Sequence, residues 1–379
     1  MANIPSKLYQ FLKKNLKSRS LNFVQTLYKG RLPSLKVNLK NELHSDEFQN
    51  LGLNKLSTKE LENLNHYLTN RPRSFLDAFP FCHGENKLTW TFKTTIVSKE
   101  TQKPSFLTLS TIFQNEADFL VEWLEYHMLQ GTDHFLLYNH FSTDNYLEVL
   151  GPYIEKGWVT LIEWPYVDYP KAQLDAYSHA LTYLEGKTTW AAFVDIDEFL
   201  VPHEKATTVD FLKDYEEFAG IAINWQLFGT SNLEVLPKKA PLIEHLTHKF
   251  TSSFHDPEWN SNHYTKCIVK PSLIDKTCYS PHIFKPIEGY KICDPDKNIL
   301  KETDVSNPRM PLSKIQLNHY WFRTHDWFYK NKVERRRLVG ENYSSEKLDL
   351  LIKSANEVED KSILKFLPDL KKALQSVRH

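Results

Sequence analysis

A chain of 379 residues with 41% hydrophobic and 13% aromatic content is long enough to bury a sizeable core, either as one large domain with appendages or as two domains. Lys plus Arg and Asp plus Glu both number 47, so the formal charge is zero, which argues against a nucleic-acid partner. No stretch approaches the roughly 20 apolar residues of a membrane span, and the first residues lack the apolar run of a signal peptide, so a cytoplasmic protein is expected. The cysteines Cys82, Cys267, Cys278 and Cys293 show no C-x-x-C spacing and read as reduced thiols rather than a disulfide framework or a zinc ribbon.

In chain order, residues 1–40 hold nine Lys or Arg, among them Lys13, Lys14, Lys17 and Arg19, and no acid, which leaves about minus nine on the remainder by subtraction. Residues 8–16 mix apolar and basic side chains as helices lying on a membrane do, so peripheral contact with the inner face of the membrane is one expectation. A solvated helix packed on the main domain is the other. Residues 1–103 read as a helical N-terminal extension of helices and polar connections, with a capping box at Ser57 and Glu60. From residue 104 the pattern becomes regular. It predicts a strand over 106–112, a helix over 116–129, a strand over 134–138, a helix over 146–155, a strand over 158–162 and a helix over 172–184. A fourth strand, 190–194, is wholly apolar and runs into Asp195, Asp197 and Glu198. Strands alternating with helices predict an α/β fold with a mostly parallel, Rossmann-like sheet flanked by helices, here assigned to 104–335. Ligands bind such sheets at the carboxyl ends of the strands, where Asn115, Asn139, Asp144, Asp195 and Asp197 all fall. Beyond it, 208–218 reads as a helix, 221–225 as a strand, and 229–312 as long loops suited to shaping an acceptor pocket. The C-terminal segment, 336–379, is helical, with a charged amphipathic helix or pair of helices over 347–374 acting as a packing element.

The acids carry the chemistry. In a strand, side chains at i and i+2 share a face, so Asp195 and Asp197 are expected to project together and Glu198 to the other side, an arrangement that suits Mg²⁺ or Mn²⁺ with substrate phosphates filling the remaining positions. No Lys or Arg lies between Trp190 and His203, so a metal or a distant basic side chain must neutralise these carboxylates. A short acidic motif taken alone is also what a solvated strand end looks like.

Several motifs in order raise its specificity: Phe113, Gln114, Asn115 and Glu116; Glu122, Trp123, Leu124, Glu125, Tyr126 and His127; the stretch from Asp133 and His134 to Asn139, with Ser142 and Asp144; then Phe193, Val194, Asp195, Ile196, Asp197, Glu198 and Phe199. With Trp225, Gln226, Leu227, Phe228 and Gly229, and with Asn318, His319, Tyr320, Trp321, Phe322, Arg323 and Thr324, the series resembles glycosyltransferase family 92 and its bacterial relatives of the GT-A, family 2-like type, over roughly residues 106–335. The resemblance implies a GT-A fold and a metal-dependent hexosyltransferase that moves a sugar from a nucleotide sugar, UDP-linked by family analogy, to a glycan or lipid-linked saccharide, with inversion, in the building of a surface polysaccharide.

It implies site roles as well. Asp195, Asp197 and the downstream His319 would hold Mn²⁺ or Mg²⁺, with His282 a second histidine candidate. Asn115, Glu116, Asp144, Gln173 and Asp195 would meet the nucleotide, although capping explains Asn115 and Asp144 equally and Gln173 suits a solvated helix face. Lys266, Lys270 and Arg323 would bring positive charge to the diphosphate or else serve as ordinary ion-pair partners. Asp256 and Glu258, beside Trp259, are the candidates for the general base that inversion requires, against the alternative of a surface turn. Two rival readings stand. A haloacid-dehalogenase-like phosphohydrolase also ends a strand in D-x-D, but usually carries Thr or Val where Phe199 stands and places the motif on its first strand. A non-catalytic carbohydrate-binding module suits the aromatic content and leaves the acids unexplained.

Overall fold

The computed structural model describes residues 76–83, 88–98, 104–164, 171–238, 240–251, 254–256, 260–334 and 344–377. The basic segment 1–40 and the capping box at Ser57 and Glu60 lie outside them. The predicted alternation is present: β3 (Ser105–Phe113), α1 (Ala117–Leu129), β4 (His134–Asn139), α2 (Tyr146–Glu155), β5 (Val159–Glu163), α3 (Lys171–Tyr183) and β6 (Thr188–Phe193) follow two earlier strands, β1 (Leu76–His83) and β2 (Leu88–Val97). Strands β5, β4, β3 and β6 are mutually parallel in that order, the doubly flanked α/β core expected of a GT-A domain. All five residues of β5 are buried, and so are four of the six in β6, as befits strands covered on both faces.

The chain then continues through β7 (Glu198–Pro202), a short helix α4 (Thr208–Leu212), β8 (Gly220–Leu227), β9 (Thr265–Val269), the two-residue strands β10 (Ile292–Cys293) and β11 (Ile299–Leu300), β12 (Ile315–His319), α5 (Ser345–Ser354) and α6 (Leu367–Val377). The sheet runs β1-β2-β5-β4-β3-β6-β9-β8-β10-β11, with β12 pairing both β7 and β8. Cys267, Cys278 and Cys293 are free and buried. No helix among the described residues is long and apolar enough to cross a membrane.

Four elements differ from the sequence reading, the first being β9, a fully buried strand between β6 and β8 within the stretch 229–312 that was read as long loops. Residues 76–97, read as part of a helical extension, form an antiparallel hairpin whose second strand pairs antiparallel with β5. The signal was there: Leu88, Trp90 and Phe92 alternate with Thr89, Thr91 and Lys93, a period of two on residues that favour strands. The helix read over 208–218 stops at Leu212 and tightens into a 3₁₀ turn over Lys213–Tyr215. The acidic strand also ends early. β6 stops at Phe193, residues 194–197 turn, and Glu198 opens β7, its N–H donating to the Asp195 carbonyl at 3.0 Å. The two aspartates therefore sit in a turn between strands, where the shared-face rule does not operate.

Helix α1 fixes that turn from beneath. The Trp123 Nε1 donates to the Glu198 carbonyl at 3.0 Å and the Tyr126 hydroxyl to the Leu200 carbonyl at 2.8 Å. Both aromatics are fully buried, so the aromatic positions of the 122–127 motif serve as a clamp on β7 rather than as a ligand surface. Glu122, from the same motif, accepts from the Leu242 and Ile243 N–H groups at 2.7 and 3.0 Å and ties down the short helix Leu242–His245. Gly229, closing the 225–229 motif, is pressed against α5: an added Cβ would lie 2.2 Å from the Ala355 carbonyl oxygen.

Trp123→Phe keeps most of the apolar volume but strips the buried Glu198 carbonyl of its donor. It should cost about 1–3 kcal/mol in urea unfolding, and a loss below about 0.5 kcal/mol would remove the clamp from this account. Burial raises the Glu122 carboxyl to about 7 from its ordinary 4.5, against the pull of its two backbone donors. The folded state thus holds that proton more tightly than the unfolded chain, so the contribution is complete below about 4.5 and is lost as pH rises towards 7. Across that window the stability of the natural protein relative to Glu122→Gln should fall by on the order of 3 kcal/mol; a difference that stays flat with pH would contradict the assignment.

Candidate active site

At the carboxyl ends of the parallel strands, side chains from six segments converge on the turn that carries Asp195 and Asp197. Pairing holds the turn from both sides: Ser110 of β3 stands opposite Phe193, and Glu198 stands opposite His319 of β12. The Tyr320 N–H donates to the Asp197 carbonyl at 2.7 Å, so the backbone between the two strands cannot slide.

The distant cation that the sequence demanded is Lys266 of β9. Its ammonium, 2% exposed, lies 2.9 Å from Asp195 Oδ2 and 3.8 Å from Glu198 Oε2. Burial opposes its charge, but Asp195 and Glu198 prevail and hold Lys266 well above the usual lysine range. Asp195 Oδ1 in turn accepts from Gln173 Nε2 at 3.2 Å and from the Tyr177 hydroxyl at 3.3 Å, both on α3. Glu198 is fully buried; its Oε2 accepts the Asp195 N–H at 2.8 Å. Desolvation, reinforced by the two aspartates, pushes the Glu198 carboxyl well up despite Lys266.

Asp197 has a different company. Its Oδ1 lies 3.5 Å from His319 Nε2, and its Oδ2 lies 3.7 Å from the Lys332 ammonium. Burial disfavours its charge, yet His319, Lys332 and Arg323 outweigh that and hold the carboxyl well below the ordinary aspartate range. His319 is wedged against Trp225, ring centroids 4.5 Å apart, and its Nδ1 faces Glu198 Oε1 at 3.9 Å. Those two facing atoms are both buried without a hydrogen-bond partner. That distance is too long for a hydrogen bond, but the pairing turns Nε2 of the ring towards Asp197.

The donor set therefore fits a divalent cation at two positions, Asp197 and His319. Among the described residues no group of three or more His, Cys, Asp or Glu side chains is placed to hold a metal ion, so Asp197 and His319 are the two side chains here that could offer ligands to one. Asp195 reaches this place only over a carboxylate already engaged by Lys266, Gln173 and Tyr177. His282 borders the cluster through Trp225, ring centroids 5.1 Å apart, but burial lowers it to about 4, its Nδ1 pairs with the Thr265 carbonyl at 2.9 Å, and it stacks on Tyr264.

The remaining sequence candidates separate into neighbours and scaffolding. Glu116 faces the site, joined to Arg323 Nη2 at 2.6 Å, and burial raises its carboxyl despite that partner. Asn115, at φ +57°, uses its side chain to accept the Thr143 N–H at 2.7 Å while its own N–H donates to Ser142 Oγ at 2.9 Å. Asp144 accepts the Ala117 N–H at 2.8 Å and so caps α1 from across the loop. Both thus lock two strand-end loops together, whereas the N-cap positions of α1 and α2 are Glu116 and Asn145, which make no side-chain capping bond. Lys270 bonds the Glu216 carbonyl and covers the Trp190 ring. Asp256 lies on a two-residue strand, His255–Asp256, paired with Asn260–Ser261; its side chain and the whole of Glu258 fall outside the described residues. Sequence reasoning missed Tyr177 and Lys332, and it named Glu198 among the acids without its place opposite His319. A cross-strand partner such as Glu198 becomes visible only once β12 is known to pair with β7.

The model of glycosyltransferase family 92 matches residues 103–345. A family 92 protein of Ricinus communis is 29% identical over 239 residues, covering 60% of this chain and 36% of the relative. One of Oryza sativa subsp. japonica is 28% identical over 194 residues, covering 50% and 31%. The chain thus spans about a third of the length of the curated relatives it matches. Among solved structures, TarS 1-349 of S. aureus aligns over 65% of this chain and 69% of that one at 11% identity and a TM-score of 0.32. The mannosyltransferase PcManGT of Pyrobaculum calidifontis aligns over 83% and 79% at 12% identity and the same TM-score of 0.32. These two structural likenesses are too distant to bear on the site; the family match, which covers well over half of the sequence and every motif described above, is not, and the chain belongs to glycosyltransferase family 92.

Proposed function

We propose that this protein transfers a sugar from a nucleotide sugar, UDP-linked by family analogy, to a hydroxyl of a glycan or lipid-linked saccharide, with a divalent cation held by Asp197 and His319. The observation that carries this reading is the pairing of those two side chains, 3.5 Å apart and nine-tenths or more buried, at the strand-end turn of a family 92 chain. A bound Mn²⁺ or Mg²⁺ would supply Lewis-acid stabilisation of the departing nucleoside diphosphate. Glu198 and Trp225 orient the His319 ring, and the Lys266 ion pair holds Asp195 about a third exposed beside it, placed to meet the ribose or a metal-bound water. Inversion needs a base on the face away from the leaving group, and Asp256 or Glu258, just ahead of β9, is the carboxylate we assign to it. Family membership favours this over phosphoester hydrolysis or simple carbohydrate binding.

Calorimetric titration of UDP and GDP, each with and without Mn²⁺, tests the reading. The natural protein should bind one of them in a metal-dependent manner. Asp197→Asn should lose that binding and at least about a hundredfold in turnover while still folding cooperatively. Full activity in the variant, or no nucleotide binding by the natural protein, would overturn the assignment.

A further inference from the structure

Several rings around the acidic turn are plain packing. Tyr126, Tyr177 and Tyr320 are wholly out of water, and Trp225, 6% exposed, leans on His319 with ring centroids 4.5 Å apart. Tyr264 differs. It is half-buried at the entry to β9, and its hydroxyl, which makes no hydrogen bond among the described residues, reaches solvent. The backbone beneath it is pinned, its N–H donating to the Ser261 carbonyl at 3.2 Å and its carbonyl accepting the Trp225 N–H at 3.0 Å. The ring stacks on His282, centroids 4.9 Å apart and planes 24° apart, and meets the Trp225 ring edge-on at 5.7 Å. His282 is itself tied to β9 twice: its Nδ1 donates to the Thr265 carbonyl at 2.9 Å, and its own carbonyl accepts the Thr265 hydroxyl at 2.9 Å.

Two placements give this rigid stack a purpose. Through Trp225 it stands one ring away from His319. In the chain, Tyr264 closes the segment that carries Asp256 and Glu258, the carboxylates assigned to the acceptor side. What lies between a metal-bound diphosphate and the base in a glycosyl transfer is a sugar ring. A pyranose carries C–H bonds on its flat sides and hydroxyls around its rim, and an aromatic ring with an unbonded hydroxyl complements both. We propose that the Tyr264–His282 stack is a platform for a pyranose ring at the point of transfer, with the Tyr264 ring against the C–H side of the sugar and its hydroxyl bonded to a sugar hydroxyl. Donor sugar and acceptor sugar share this chemistry. The inference rests on the reading given under Proposed function and extends it to a residue that no motif singled out.

Tyr264→Leu in the full chain keeps an apolar side chain and removes the flat ring. By calorimetry at saturating Mn²⁺, UDP alone should bind the variant as it binds the natural protein, which also certifies the fold. If the donor sugar uses the platform, binding of UDP-glucose, UDP-galactose or UDP-N-acetylglucosamine should weaken by roughly tenfold. If the acceptor uses it, those affinities stand, and the saturation-transfer NMR signals of methyl glucoside and methyl galactoside, recorded at saturating UDP and Mn²⁺, should fade instead. Tyr264→Phe keeps the ring and should retain most of whichever signal the leucine variant loses. Tyr264→Met repeats the test should the leucine variant fold poorly. No change in either arm, a fall in UDP affinity equal to that of the nucleotide sugars, or a phenylalanine variant as impaired as the leucine one would overturn the platform while leaving the metal site standing. A natural protein that binds neither UDP nor GDP would remove the underlying reading with it.

Discussion

The site depends on one buried ion pair. Lys266 and Asp195 meet at 2.9 Å with the lysine almost wholly out of water, and Glu198 stands behind them. Such a cluster is costly to assemble and costly to break, because removing either sign strands the other in a low-dielectric interior. Its consequence is a division of labour between two aspartates that look alike in the sequence. Asp195 is spoken for by Lys266, Tyr177 and Gln173, while Asp197, two residues on, keeps a face towards His319. A motif written as one unit is thus two side chains with different work.

Rigid elements hold this arrangement in place. β6 and β7 meet at the acidic turn, β12 presents His319 across from Glu198, and α1 grips β7 through Trp123 and Tyr126. The loops above are stitched to one another: Asn115 to residues 142 and 143, Asp144 to the first turn of α1, and Asn139 to Glu163 at 2.7 Å. Much of what makes the family motifs recognisable is therefore architecture. Only part of each motif faces the chemistry.

This explains what could and could not be read from the sequence. The four parallel strands and their helices were legible because each carries its periodicity locally, and the strand-end rule then placed Asp195 and Asp197 correctly as a region. Their relative orientation was not legible, since it turns on where β6 stops, and that is set by pairing with β3 and β9 rather than by the apolar run itself. Lys266 was named as a possible ion-pair partner but not matched to Asp195, since it lies 71 residues away, and Lys332, far beyond it, was not named at all. The β1–β2 hairpin was passed over because 1–103 was read as helices and polar connections, although the alternation over 88–93 lies within it.

The central claim is that the cation belongs to Asp197 and His319 while the Lys266–Asp195 pair persists. Anomalous scattering from Mn²⁺ in crystals grown with UDP tests it directly. The account predicts a single peak within coordination distance of Asp197 and His319, with Lys266 still on Asp195. A peak ligated by Asp195 with Lys266 displaced, or metal bound away from this turn altogether, would contradict it.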